Sequence, residues 1–170
     1  MFTAFDICPA NRVLNLLAAE AGKEMDEGGV IAASGTIHHG LLGQLNELEY
    51  YSKPWPKSLA NDFGTDTVYP LIKAAGISLA DALCTYTEHI ALQTAAAVSG
   101  LQEKSKKDNS RLFVTGGGAF NDHLLQRLDV HLSQLGATTV LPDARLVNYK
   151  EALIMAFIAV LRWRQEYNVL

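Results

Sequence analysis

Three consecutive glycines, Gly116, Gly117 and Gly118, separate a β-prone apolar segment, Leu112 to Val114, from leucines that recur at helical spacing. Glycine loses more conformational freedom on folding than any other residue, so a run of three indicates a place where the backbone must be bare. Free N–H groups at the start of the helix would favour a phosphate or the polar edge of a nucleotide, with Asn121 placed to hydrogen-bond a ribose or base. The alternative is a tight turn packed against a neighbouring element.

The spacing around these glycines does not match two common nucleotide motifs. No Gly-Lys-Ser/Thr sequence follows them, so they do not form a P-loop, and they do not fit the G-x-G-x-x-G pattern of dinucleotide-binding folds.

Other polar residues offer weaker candidates for chemistry. Asp6 stands between a predicted strand and a helix start, where it is either a cleft carboxylate or a helix N-cap. His38 and His39 are adjacent, so their side chains point apart, and we expect no metal site formed by the protein alone. Lys57 and Ser58 lie in a proline-rich loop. They either contact a substrate phosphate or are solvated loop residues.

Four residues on predicted helices are assigned structural roles. We expect Glu88 and His89 to be surface or interface residues of a long helix, Glu151 to cap a helix and Cys84 to be a small core residue.

Composition limits the possible functions. The chain has 170 residues, of which 49% are hydrophobic, and this is typical of one globular domain. The net charge of −4 argues against general electrostatic binding to nucleic acid. No apolar run of membrane-spanning length and no leader-like segment is visible, so we expect no membrane association. Two widely separated cysteines, Cys8 and Cys84, favour free thiols in the cytoplasm.

The first half of the chain predicts mainly helices. We expect a strand over residues 1–6, a helix from Pro9 to about Ala21, and a loop or short extended piece over residues 26–35. A short helix follows within residues 38–51, then a loop over residues 52–66 and a helix over residues 67–74. Ser78 and Asp81 resemble a capping box that opens a long helix to about Ser99, followed by a charged turn over residues 102–110.

The second half predicts a strand–helix–strand unit. Leu112 to Leu141 contains two short apolar segments on either side of a helix that Gly136 ends, which implies parallel strands with a right-handed crossover. Asn148 and Glu151 form a second N-cap pair, opening a last helix to about Glu166. Because that helix is apolar on most sides, we expect it to be buried on most sides.

Five blocks of the sequence together resemble the C-terminal half of anhydro-N-acetylmuramic acid kinases, in order and over essentially the whole chain. They are FTAFDICPANRVLNLLA, PKSLANDFGTD, LCTYTEHIALQTA, RLFVTGGGAFNDHLLQRL and LVNYKEALIMAFIAVLRWR. The resemblance implies membership of the sugar kinase, Hsp70 and actin superfamily, whose two lobes of ribonuclease-H-like topology enclose an ATP cleft. The implied fold is α/β, with an incomplete mixed sheet flanked by helices.

The resemblance also implies roles for single residues. In that family the GGGAFN segment is the adenosine motif, which would place five residues at the nucleotide: Gly116, Gly117, Gly118, Ala119 and Asn121. The FDICPAN segment matches a cleft-lining segment more often written FDTGPGN. Asp6, Pro9 and Asn11 are kept, and Asp6 and Asn11 would line the cleft. Cys8 and Ala10 replace glycines, which argues against a close approach of ligand to backbone there.

Three parts of the family's catalytic apparatus precede this segment: the first phosphate loop, the catalytic aspartate and the second phosphate hairpin. We therefore expect residues 1–170 to form a single nucleotide-binding lobe, truncated at both ends, with no catalytic residue of its own. The full enzyme would use ATP with Mg²⁺ to open and phosphorylate an anhydro amino sugar in peptidoglycan recycling. The alternative is a non-catalytic nucleotide-binding or oligomerisation module.

The incomplete sheet also predicts self-association. An unpaired strand edge and uncovered apolar surface favour contact with another chain, and the resembling family forms homodimers. We expect a homodimer whose contact includes either the long helix from Ser78 or the edge near Phe2 to Phe5.

Overall fold

The structure, a computed structural model, describes residues 3–60, 62–105 and 110–167. Its helices are α1 (Ala10–Ala19), α2 (Val30–Ser34), α3 (His39–Asn46), α4 (Glu49–Ser52), α5 (Tyr69–Ala74), α6 (Leu79–Ser105), α7 (Asp122–Ser133) and α8 (Ala144–Trp163). Its strands are β1 (Arg111–Phe113) and β2 (Thr138–Val140), and shorter helical turns occupy Glu27–Gly29, Phe63–Val68 and Gly117–Phe120.

The strands β1 and β2 form a two-stranded parallel sheet. Leu112 pairs with Thr139 and Phe113 with Val140, and α7 connects the two strands along the chain. This confirms the predicted strand–helix–strand unit and its parallel pairing. The glycine turn, residues 116–120, lies between the end of β1 and the start of α7. The sheet and the helix together therefore fix its position.

Helix α6 is the centre of the core. The predicted capping box opens it, because the Ser78 hydroxyl oxygen accepts from the Asp81 N–H at 3.1 Å. Asp81 also accepts from the Thr36 N–H at 2.7 Å, which joins the start of α6 to the segment after α2. The helix runs to Ser105, so the first residues of the predicted charged turn are helical. Residues 106–109 of that turn lie outside the described part of the chain.

Buried polar residues on α6 correct one expectation. The sequence predicts Glu88 and His89 to be surface or interface residues, but they are only 5% and 0% exposed and lie in the core. Arg127 Nε donates to Glu88 Oε2 at 2.6 Å, and His131 Nε2 lies 2.8 Å from Glu88 Oε1. Burial opposes the charge of Glu88, but these hydrogen bonds outweigh it and hold the pKa of Glu88 below its usual value. Glu88 therefore holds α7 against α6 through a buried ion pair.

His89 is buried as a neutral side chain. Its Nδ1 lies 2.7 Å from Asn46 Oδ1, which also accepts from Gln93 Nε2 at 3.0 Å. The amide oxygen can only accept, so His89 Nδ1 carries the proton. Burial lowers the pKa of His89 from 6.5 to about 4.

We expect the stability of the protein to fall on acidification because of His89. Between pH 6.5 and pH 4 the unfolded chain binds a proton that the folded protein excludes, which removes up to about 3 kcal/mol of stability. The neutral replacement His89→Gln should lose that much less stability than the parent between pH 7 and pH 4. Urea unfolding at pH 7, 5.5 and 4 measures this difference, and equal pH slopes for the two proteins would contradict it.

The N-terminal segment differs from the sequence-based expectation. Met1 and Phe2 lie outside the described residues, and residues 3–9 carry no regular secondary structure. A strand needs a partner strand, whereas here the Asp6 N–H donates to the Lys57 carbonyl oxygen, at 3.0 Å, in a loop. The predicted strand over residues 1–6 is therefore wrong for its described part. Pro9 stands at the N-cap of α1, close to its predicted place.

Two other segments differ from the prediction in the same half of the chain. Residues 26–35, expected to be a loop or extended piece, contain the turn Glu27–Gly29 and helix α2. The reason is Asp26, whose carboxylate accepts from the N–H groups of Ile31 and Ala32, both at 2.9 Å. The predicted loop over residues 52–66 ends early, because Phe63–Val68 is already helical.

Helix α8 begins earlier than predicted and is exposed rather than buried. Its N-cap is Asp143, whose carboxylate accepts from the Leu146 N–H at 2.8 Å, so Asn148 and Glu151 lie inside the helix. Met155 is 65% and Phe157 is 61% exposed. The helix is apolar on most sides, as the sequence indicates. Its beginning contacts the rest of the described chain, since Val147 is buried and Lys150 Nζ donates to Thr115 Oγ1 at 3.0 Å, but most residues from Glu151 onwards are exposed. Across the described residues, no helix combines the length and the apolar character that crossing a membrane requires.

Candidate functional site

A cavity of about 160 Å³ lies beside the glycine turn. Three segments of the chain line it: α1, the turn before α2, and the glycine turn with the start of α7. Its lining residues are Asn11, Leu14, Asn15, Met25, Asp26, Glu27, Gly28, Gly117, Phe120 and Asn121. The fold thus brings Asn11 together with Gly117 and Asn121, which lie more than 100 residues later in the sequence.

The glycine turn needs two of its glycines for different reasons. Gly116 has φ +75° and ψ −165°, a conformation that residues with a side chain rarely adopt. A Cβ atom at Gly117 would lie 2.8 Å from Asn11 Nδ2, so a bare backbone allows the turn to approach α1. At Gly118 a Cβ atom would make an ordinary 3.6 Å contact with Leu124. Gly116, Gly118 and Ala119 belong to the turn but are not among the cavity's lining residues.

Asn121 has a structural role that the sequence analysis did not assign. Its Oδ1 accepts from the Leu124 N–H at 2.9 Å, so it is the N-cap of α7. The signal was present in the sequence, because asparagine directly before a helical pattern is a preferred N-cap. Asn121 is buried and also lines the cavity. The same side chain therefore ends the glycine turn and forms part of the cavity wall.

Asp6 is not part of this cavity. Its carboxylate accepts from the Leu59 N–H at 2.8 Å and from the Ser58 hydroxyl at 3.1 Å, and its carbonyl oxygen accepts from the Tyr50 hydroxyl at 2.6 Å. It does not cap α1. Asp6 thus anchors the proline-rich loop, and the structure does not bring it together with Asn11 at the cavity.

Lys57 is held by the same part of the fold. Its ammonium group donates to the carbonyl oxygens of Tyr50 and Tyr51 at 3.1 and 3.2 Å and lies 4.6 Å from the centre of the Tyr50 ring. Burial lowers the pKa of Lys57. These contacts direct the charge to the end of α4 rather than to a substrate phosphate.

His38 makes a hydrogen bond within the fold, and both cysteines are at least partly buried. His38 Nδ1 accepts from the Leu41 N–H at 3.0 Å and caps α3. Within the described residues no group of three His, Cys, Asp or Glu side chains is arranged to hold a metal ion. Cys84 is buried, as expected for a core residue, and Cys8 is partly buried. Burial raises the pKa of the Cys8 thiol to about 12.

The charges around the cavity indicate which part of a ligand it suits. Asp26 and Glu27 line it, and no lysine or arginine is found among its lining residues in the described chain. Two carboxylates repel a phosphate, whereas the apolar surface of Leu14 and Phe120 and the amides of the asparagines suit an uncharged nucleoside. Complete small-molecule sites occupy about 300–1,000 Å³, so this cavity can hold only part of a nucleotide.

The turn before α2 was missed as a site element by the sequence analysis. It contributes Met25, Asp26, Glu27 and Gly28 to the cavity. The available signal was the pair Gly28–Gly29, since adjacent glycines indicate a special backbone conformation. Both have positive φ, +64° and +72°.

Comparison with known proteins identifies related sequences over nearly the whole chain. The family model described as anhydro-N-acetylmuramic acid kinase matches residues 1–165. Proteins of that name from Variovorax paradoxus, Salinibacter ruber and Psychrobacter arcticus are 35%, 37% and 33% identical to it. These alignments cover 95%, 92% and 91% of this chain, but only 43%, 40% and 37% of the respective relatives. The chain thus spans less than half the length of these relatives.

Proposed function

Because the chain belongs to the anhydro-N-acetylmuramic acid kinase family, we propose that it is the nucleotide-binding lobe of a two-lobed kinase. The complete enzyme would use ATP with Mg²⁺ to open the ring of 1,6-anhydro-N-acetylmuramic acid and phosphorylate the sugar, in the cytoplasm of a bacterium. The observation that carries the proposal is the cavity in which Asn11, Gly117 and Asn121 meet.

The residues of this lobe fit the nucleoside part of ATP and not its phosphates. Leu14, Met25 and Phe120 offer apolar surface to a base, and the amides of Asn11 and Asn15 offer donors and acceptors to its edge or to the ribose. The carboxylates of the cavity do not suit a triphosphate. When bound, ATP would supply the transferred phosphoryl group, and Mg²⁺ would neutralise the phosphates, but no residue of this cavity is assigned to hold the metal.

The proposed fold of the lobe is ribonuclease-H-like. The parallel unit of β1, α7 and β2 supports it, because such a unit is a part of that topology. Phe113 on β1 is 53% exposed, whereas parallel sheets are normally covered on both faces. We infer that these two strands are the described part of a larger mixed sheet.

Ligand-induced stabilisation tests the proposed function. Adenosine and ATP, each at about ten times a dissociation constant near 1 mM, should raise the free energy of unfolding by about 1.4 kcal/mol. Tripolyphosphate at matched ionic strength should not, because the cavity carries carboxylates. Urea unfolding with each compound gives the comparison. Stabilisation by tripolyphosphate alone, or by none of the three, would contradict nucleoside binding in this cavity.

A second candidate function is that of an oligomerisation module. The exposure of α8 favours it, because ten consecutive apolar residues, Ala152 to Leu161, lie on a helix that the described chain leaves open. We propose that two copies of the 170-residue chain associate through α8. The two contacts expected from the sequence are less suitable. The first half of α6 is buried in the core, and Phe5 stacks on Trp55 at 5.2 Å.

A further inference from the structure

We propose that the turn of residues 25–29 is a second wall of the nucleotide site, and that Gly29 is a positioning residue for Asn121. This inference rests on the proposed nucleotide binding and adds residues that lie far from the glycine turn in sequence. Three observations support it: Asp26 anchors the turn, the Gly29 backbone lies against Asn121, and the turn lines the cavity.

The turn is fixed to the fold by Asp26. This carboxylate is 9% exposed and accepts from the N–H groups of Ile31 and Ala32, both at 2.9 Å. Hydrogen bonds between a buried carboxylate and backbone N–H groups are charge-assisted and hence strong. Asp26 therefore holds the turn on the first residues of α2, which in turn packs against α6.

Gly29 brings the backbone of this turn against the start of α7. A Cβ atom at Gly29 would lie 2.3 Å from Asn121 Oδ1 and 2.7 Å from His123 Cβ, distances that real Cβ atoms do not adopt. The Asn121 carboxamide is thus confined between the Gly29 backbone and the Leu124 N–H, to which it is hydrogen-bonded. Any side chain at Gly29 must displace Asn121 or separate the two turns.

The same turn supplies a wall of the cavity whose residues lie far from the glycine segment in the sequence. Met25 is 50% exposed and Phe120 is 49% exposed, and both line the cavity. One apolar side chain from each turn therefore offers contact surface to a base. A change in the distance between the two turns would alter the cavity itself, so Gly29 acts on ligand binding through Asn121 and the cavity width.

Alanine replacements at two glycines with nearly equal φ angles distinguish the effect of the contact with Asn121 from the effect of a positive φ. Gly22 has φ +70° and an ideal Cβ with no atom within 4 Å, while Gly29 has φ +72° and the contact with Asn121. Both replacements impose similar strain. We expect Gly29→Ala to weaken adenosine binding at least tenfold, and Gly22→Ala to leave it within twofold of the parent. The Asn121 side-chain amide signals should move in Gly29→Ala alone.

The probe is adenosine, titrated into the ¹⁵N-labelled chain and followed by amide NMR. If the parent shows no response at Gly117 or Asn121, the proposed function fails. If the parent responds and Gly29→Ala binds equally well, the positioning role of Gly29 is refuted while the proposed function stands.

A second pair of variants decides the matter should Gly29→Ala not fold. Met25→Ala removes an exposed cavity side chain, and Val30→Ala removes an exposed side chain outside the cavity, 71% exposed. We expect about fivefold weaker adenosine binding for Met25→Ala and no change for Val30→Ala. Equal affinities in these two variants would overturn the assignment of the turn as a cavity wall.

Discussion

Incubated with ATP, Mg²⁺ and 1,6-anhydro-N-acetylmuramic acid, the 170-residue chain should form no phosphosugar above background. Phosphoryl transfer needs groups that hold the phosphates and a base that activates the nucleophile. Among the described residues, the cavity offers no lysine or arginine to hold the phosphates, and the carboxylate of Asp26 already accepts from two backbone N–H groups. Loss of a catalytic group costs about 10⁴–10⁶ in rate, so the expected effect is a complete loss in an ordinary assay.

A family-length relative is the matched control for that assay. The anhydro-N-acetylmuramic acid kinase of Variovorax paradoxus, 35% identical over the aligned region, should be assayed at the same concentration. Turnover by the 170-residue chain within a hundredfold of this control would show that the lobe contains catalytic groups that the present account does not assign.

Self-association through α8 is the second large effect that we expect. The chain has a solvent-accessible surface of 10,786 Å², whereas a compact monomer of 18.5 kDa exposes about 8,200 Å². The chain thus exposes about 2,600 Å² more than a compact monomer of its size, and the exposed apolar side chains of α8 contribute to this surface. Contiguous apolar patches of more than a few hundred Å² mark interaction surfaces. Light scattering at micromolar concentration should therefore give at least twice the monomer mass.

A charge placed on α8 should dissociate the assembly. Phe157 is 61% exposed near the middle of the apolar stretch, so Phe157→Glu should shift the protein towards monomer with little loss of stability. Gln126→Glu places the same charge on an exposed position of α7 and should leave the assembly unchanged. A parent that scatters as a monomer, or variants with equal masses, would contradict an interface at α8.

Local signals in the sequence predicted the parts of the fold that depend on local interactions. The capping box at Ser78, the short strand–helix–strand unit and the unusual backbone at Gly116 follow from residues close together in the sequence. The close packing of Gly117 against Asn11 could not be predicted from spacing, because it depends on how α1 lies against the glycine turn.

The expectations that were wrong depended on tertiary surroundings. Glu88 is buried because Arg127 and His131 on another helix satisfy its carboxylate oxygens, and a single helix pattern does not reveal such partners. Helix α8 is exposed because burial requires a second surface, and an apolar sequence indicates only that one is favourable. Residues 27–34 form a helical turn and α2 because the Asp26 carboxylate accepts from the N–H groups of Ile31 and Ala32, a role that Gly28 and Gly29 obscure in the sequence.

The central claim is that the cavity beside Gly117 binds the nucleoside part of ATP, and amide NMR with ATP tests it most directly. Half a cleft supplies few contacts, so we expect a dissociation constant of about 1 mM, roughly −4 kcal/mol. In the parent, the signals of Gly117 and Asn121 should shift first. Gly117→Val should abolish these shifts, because its Cβ would already lie 2.8 Å from Asn11. Gly43→Val adds the same side chain at a glycine whose Cβ would meet no atom within 4 Å, and it should bind as the parent does. Equal shifts in the parent and Gly117→Val would contradict the account.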